Sequence, residues 1–159
     1  VTRRFHDAMT LGEAKMLLRE LAYEGHACPC CTQLVKVYKR KVNSSMAADL
    51  IAMWRAFHRE WGYLPDLRRH ASLKGNREES KLRYWGLVEE EPERRPDGGR
   101  AGWWRVTPKG ADWIQQRTWI PKYALIYDGK FLRYDGSERV TIRDALGDGF
   151  DYNELMRGE

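Results

Sequence analysis

The chain has 159 residues, of which 42% are hydrophobic and 32% charged, and it carries a net charge of +5. That length allows one domain, or a small domain with appendages, and is enough to bury a real core. All three cysteines fall in one short run, which excludes a disulfide framework and points to a reducing compartment. No secretory or transit signal and no membrane-spanning run is read, so a cytoplasmic protein with no membrane partner is expected.

Thr10-Leu11-Gly12-Glu13 is a capping box, and Leu11, Ala14, Leu17, Leu18, Leu21 and Ala22 follow at helical spacing. This predicts a helix over about 10–24, stopped by Gly25. The run His26-Ala27-Cys28-Pro29-Cys30-Cys31 comes next. Cys28 and Cys31 form a C-x-x-C pair, a spacing that lets two thiolates reach one tetrahedral metal from a tight turn. A full zinc signature has two such pairs, so a structural zinc ion and free cysteines both stay open. Cys30 and His26 are further candidate ligands, and His58 or His70 could fold back to the same place. A redox C-x-x-C should follow a strand and open a helix, whereas this one follows a helix and a glycine. From Gln33 to Lys41, β-branched and aromatic residues alternate with charge. This predicts a strand over 33–41 with a wet basic face of Lys36, Lys39, Arg40 and Lys41.

Ser44 or Ser45 can cap the next helix. Its apolar stripe is Ala47, Leu50, Ile51, Trp54, Phe57 and Trp61, and Gly62 ends it. His58 would lie on its exposed side. Pro65 opens a short helix to about Ala71, Gly75-Asn76 makes a turn, and residues 77–85 read as a third helix ending at Gly86. Leu87 and Val88 begin a strand, residues 93–100 form a polar turn, and Trp103-Trp104-Arg105-Val106 returns. Thr107 caps a last helix with Pro108 at its first position. Beyond a boundary at Ile120-Pro121, two apolar runs flank Asp128-Gly129, which predicts a hairpin over 122–135. Thr141 and Asp151 can cap two short helices.

The order helix–helix–helix–strand–turn–strand–helix over about 44–116 resembles a winged helix-turn-helix. Its most specific words are Trp85-Gly86-Leu87-Val88 and Val106-Thr107-Pro108-Lys109-Gly110. The tail, and the Cys-Pro-x-Cys element before a helix, resemble parts of small phage-encoded proteins. The expected fold class is therefore α+β. A winged helix-turn-helix core (44–116) would be preceded by a helix and cysteine knuckle (1–43) and followed by a β-hairpin with short helices (117–159).

The four histidines are scattered, and no G-x-S-x-G, Walker A, G-x-G-x-x-G or H-E-x-x-H motif occurs, so no enzymatic activity is expected. Residues 1–43 carry 8 Lys+Arg against 4 Asp+Glu, residues 44–116 carry 13 against 11, and residues 117–159 carry 7 against 8. A basic first two-thirds suits a polyanion. The winged-helix resemblance implies double-stranded DNA as partner, with regulation of transcription or another DNA-directed task as the role. The third helix would read it through Asn76, Arg77, Ser80, Lys81 and Arg83. Arg94, Arg95 and Arg100 would sit at the wing tip, and Lys36, Lys39, Arg40 and Lys41 would offer a second strip. Glu78, Glu79 and the run Glu89-Glu90-Glu91 stand against this, because carboxylates repel phosphate. The alternative is a non-enzymatic factor that binds and redirects a host protein, and a homodimer is also open.

Overall fold

The structure, a computed structural model, describes residues 4–70, 73, 77–92 and 102–158. It is mixed α and β. In chain order the elements are α1 (Leu11–Leu21), β1 (His26–Ala27), β2 (Leu34–Val35), β3 (Tyr38–Lys41), α2 (Ser44–Phe57), β4 (Gly62–Tyr63) and α3 (Leu64–His70). A 3-10 helix (Glu79–Trp85) follows, then β5 (Val88–Glu90), β6 (Trp103–Val106), α4 (Pro108–Ile114), β7 (Ile120–Tyr127), β8 (Lys130–Val140) and α5 (Ile142–Leu146). A 3-10 turn (Gly147–Gly149) leads to α6 (Tyr152–Arg157). The sheets are small and antiparallel pairings join β1 to β2, β4 to β6 and β6 to β5. A third sheet runs in the order β3–β7–β8. No described helix is long and apolar enough to cross a membrane. Contacts divide the chain into two compact units, one of Val1–Arg40 with Ala124–Tyr134, the other of Lys41–Tyr123 with Asp135–Glu159.

In the first unit, the Thr10 side chain accepts from the Glu13 amide at 3.2 Å, and Glu13 accepts from the Thr10 amide at 2.8 Å, so both halves of the capping box form. These bonds to Thr10 hold the Glu13 carboxyl below the usual carboxylate range. The strand expected over 33–41 is broken. The Val37 amide donates to the Ala22 carbonyl at 2.7 Å, and Val37 is buried with Ala22 and Leu125. Docking Val37 onto the end of α1 takes it out of the ladder, leaving β2 and β3 on either side. At the hairpin tip Asp128 and Gly129 have φ of 49° and 70°, the paired left-handed geometry of a two-residue turn.

In the second unit, α2 is the centre, packed against α4, α5, α6, β4, β6 and the 3-10 helix. Its residues Met46–Ile51 and Met53 are buried. The cap is Asn43, whose side-chain oxygen accepts from the Met46 amide at 2.9 Å, rather than Ser44 or Ser45. The helix stops at Phe57, five residues short of Gly62. His58 has φ of 48° and ends it, so it is not on the helix side, and its ring stands edge-on to Trp54 at 5.6 Å. A side chain at Gly62 would collide with the Phe57 ring, so the chain folds back over Phe57 to make β4. Trp85 and Trp113 are fully buried, and their indole N–H groups donate to the carbonyls of Pro121 (2.7 Å) and Val140 (3.0 Å).

The two sequence words of 85–88 and 106–110 meet. The Thr107 hydroxyl donates to the Gly86 carbonyl at 2.5 Å and accepts from the Gly110 amide at 3.0 Å. The Thr107 amide donates to Leu87 O at 3.0 Å. Gly110 then lies directly on Leu87: an added Cβ would collide with the Leu87 carbonyl oxygen and stand 2.8 Å from Val106 Cγ1. Glycine is therefore required in this word for close approach. Gly110→Ala is expected to cost about 1–3 kcal/mol through overpacking against backbone that cannot yield, measurable as a lowered urea midpoint with unchanged slope.

Residues 77–85, expected as an α-helix, contain the shorter 3-10 helix. Its buried residues are Glu79, Leu82 and Trp85, spaced three apart, which is the period of that helix.

Candidate nucleic-acid interface and cysteine turn

The 3-10 helix settles which of its charges can face a ligand. Glu79 points inward: it is 1% exposed and paired to Arg68 of α3. It therefore cannot repel phosphate at a surface, which corrects the expectation drawn from the sequence. Glu78 is half-buried and paired to Lys81, so the Lys81 ammonium is already committed. Ser80 is half-buried. Arg77 and Arg83 are exposed, and the Arg83 guanidinium lies 5.2 Å from the Tyr84 ring centroid. Asn76 and the expected wing-tip residues Arg94, Arg95 and Arg100 lie outside the described residues, as does the turn that would join β5 to β6. Of the acidic run after the helix, Glu89 pairs across the sheet with Arg105, whose guanidinium also covers the Trp61 ring at 4.3 Å.

Lys36, Lys39, Arg40 and Lys41 are all exposed. Tyr38 stands between two of them, 5.9 Å from the Lys36 ammonium and 5.7 Å from the Arg40 guanidinium. The strip is thus basic with an exposed aromatic face in its middle.

The cysteine run is a turn closed by β1 and β2, with His26 opposite Val35 and Ala27 opposite Leu34. The Cys28 amide donates to Gln33 O at 2.8 Å, and the Thr32 amide donates to Cys28 O at 2.9 Å. Cys28, Cys30 and Cys31 are free thiols, the first half-buried and the others exposed. The Cys31 and Cys30 backbone N–H groups, and then their thiols, hydrogen-bond the Cys28 sulfur and push its pKa down. His26 Nδ1 is 2.8 Å from the Ala27 carbonyl, which can only accept, so Nδ1 is the donor in that contact. Among the described residues, no group of three or more His, Cys, Asp or Glu side chains is gathered as a metal site. Because the thiolate is the nucleophile, in metal-free protein Cys28 is expected to alkylate fastest at neutral pH although Cys30 and Cys31 are more exposed. Mass spectrometry after brief iodoacetamide treatment checks this, and the advantage should vanish in denaturant, where the folded-state depression of the pKa is lost.

The sequence drew no attention to Arg68 and Arg69. The signal was the Arg68-Arg69 doublet eight residues before Arg77, read only as part of a short helix. Comparison with protein-family models, curated proteins and solved structures finds no match to this chain.

Proposed function

We propose that the chain is a non-enzymatic, phage-related protein of the host cytoplasm that binds double-stranded DNA through a winged helix over residues 44–116. Its role would be regulation. The observation that carries this reading is the element order α2, β4, α3, 3-10 helix, β5, β6, α4. Apart from the two-residue β4 and the 3-10 form of the third helix, it follows the order the sequence resemblance implies, with Arg77 and Arg83 exposed at and near the third helical segment. Phosphate contacts would come from these arginines, and the strip Lys36, Lys39, Arg40 and Lys41 would add a second line of charge. Glu78→Gln frees the Lys81 ammonium and should tighten binding to random duplex. Fluorescence anisotropy of a labelled duplex reads that change, and weaker binding by this variant would count against the interface.

A structural zinc ion would be held by Cys28 and Cys31, with Cys30 and His26 as candidate ligands and at least one ligand from elsewhere, since the described residues gather no set of three donors there. N–H groups directed at a sulfur favour the thiolate that zinc needs. Elemental analysis of chelator-free protein should give about one zinc per chain, as for a closed structural site.

A second reading is favoured by the first unit. Among the described residues, Leu11, Met16, Tyr23, Leu34, Tyr38, Tyr127, Phe131 and Leu132 there are large and exposed, while Trp119 alone is so in the second unit. Exposed apolar surface marks protein contacts, with a host protein or a second copy of the chain. Recovery of a partner from lysate that survives nuclease favours this reading, and nuclease-sensitive recovery favours DNA.

A further inference from the structure

Three arginines line one cavity in the second unit. Arg68, Arg69, Arg77, Tyr63 and Pro65 line a space of about 450 Å³, within the range of small-molecule sites. Two carboxylates partly offset them, Glu79 on Arg68 and Asp66 on Arg69, while the described structure gives Arg77 no acidic partner. Arg68 meets Glu79 through Nη2. Its Nε is buried and has no hydrogen-bond partner among the described residues. A buried donor left in that state is costly, and Glu79 Oε2 is orphaned too, so this pair carries an unmet hydrogen-bonding demand. Arg77 has φ of 63°, a left-handed backbone that side-chain-bearing residues rarely adopt. Such strain is retained where a side chain has to be presented in one direction.

The remaining lining residues, Tyr63 and Pro65, present an aromatic and an aliphatic ring. Tyr63 and Pro65 lie against Gly102, where an added Cβ would stand 2.7 Å from Tyr63 Cε2 and 3.2 Å from Pro65 Cδ. The Trp103 ring is 5.4 Å from the Tyr63 ring. Arginine forks suit the oxygens of a phosphate monoester, and an aromatic wall suits a planar base. We propose that this cavity binds a nucleoside 5′-phosphate, the phosphate between Arg68, Arg69 and Arg77 and the base against Tyr63. The nucleotide is either free or the phosphorylated end of a strand. Only Arg77 is shared with the duplex interface, so the site stands or falls apart from that reading.

The test is calorimetric titration of the full chain with 5′-dAMP, deoxyadenosine, and a single-stranded oligonucleotide carrying either a 5′-phosphate or a 5′-hydroxyl. The site predicts that in at least one pair the phosphorylated ligand binds at least about tenfold tighter than its hydroxyl form, the worth of one or more charge-assisted hydrogen bonds. A preference in the oligonucleotide pair alone identifies a strand end, and one in the dAMP pair identifies the free nucleotide. Arg69→Ala and Arg77→Gly should each remove most of that preference. Arg77→Gly also relieves the left-handed backbone, so its thermal midpoint should hold or rise while phosphate recognition falls. Arg117→Ala, at an exposed arginine away from the cavity lining, should leave the preference intact. Equal binding of phosphorylated and hydroxyl forms, no binding at about 1 mM, or a preference untouched by Arg69→Ala and Arg77→Gly would overturn the proposal.

Discussion

Arg68→Ala is expected to destabilise the protein by about 3 kcal/mol or more, because it strands a charged carboxylate in the interior. Glu79 is 1% exposed and takes its ion pair from Arg68, itself 31% exposed. Removing the arginine leaves Glu79 with neither water nor a countercharge. The reverse change is milder, since a half-buried guanidinium can be rehydrated. Replacing both by apolar residues of similar length, Arg68→Met with Glu79→Leu, should recover most of the loss, as buried pairs often exchange for apolar contacts at little net cost. For a chain of this size the single substitution should lower the thermal midpoint by about 10 °C. A loss under about 1 kcal/mol would mean that Glu79 is solvated.

The second large effect concerns duplex binding. If Arg77 and Arg83 each neutralise one phosphate, Arg77→Ala with Arg83→Ala should flatten the salt dependence by about two units of slope. At about 0.1 M salt that corresponds to roughly two decades of affinity. Lys81→Ala should matter less, because its ammonium is already held by Glu78. Lys36→Ala with Arg40→Ala tests the other strip in the same way. It also removes the cations on both sides of Tyr38, so any contribution from stacking on that ring should weaken with them.

What could be read along the chain was local chemistry. Thr10, Thr107, Thr141 and Asp151 all cap the helices they precede, because a cap needs only the next three residues. Asp128-Gly129 makes its turn for the same reason. Features set by distant partners could not be read. Strand β4 is two residues long and exists because Gly62 and Tyr63 pair with Trp104 and Trp103 some forty residues on. Val37 leaves its strand because Ala22 offers a carbonyl. From sequence Glu79 reads as a surface charge, because charged residues are seldom fully buried. Its place in the series Glu79, Leu82, Trp85 was the signal of a three-residue period, hidden by the assumption that a buried stripe must be apolar. The same limit hid the arginine cavity. Arg68, Arg69 and Arg77 share a wall only because α3 and the start of the next segment fold together, and their sequence spacing matches no phosphate-binding motif.

The proposed binding of duplex DNA is tested most directly by anisotropy of a labelled random-sequence duplex titrated with the 159-residue chain across a salt series. Binding at about 50 mM salt, with log affinity falling linearly with log salt and a slope of several units, is the predicted result. No measurable affinity for duplex at that salt, in the wild type and in Glu78→Gln alike, would contradict it and leave the apolar surface of the first unit as the working face.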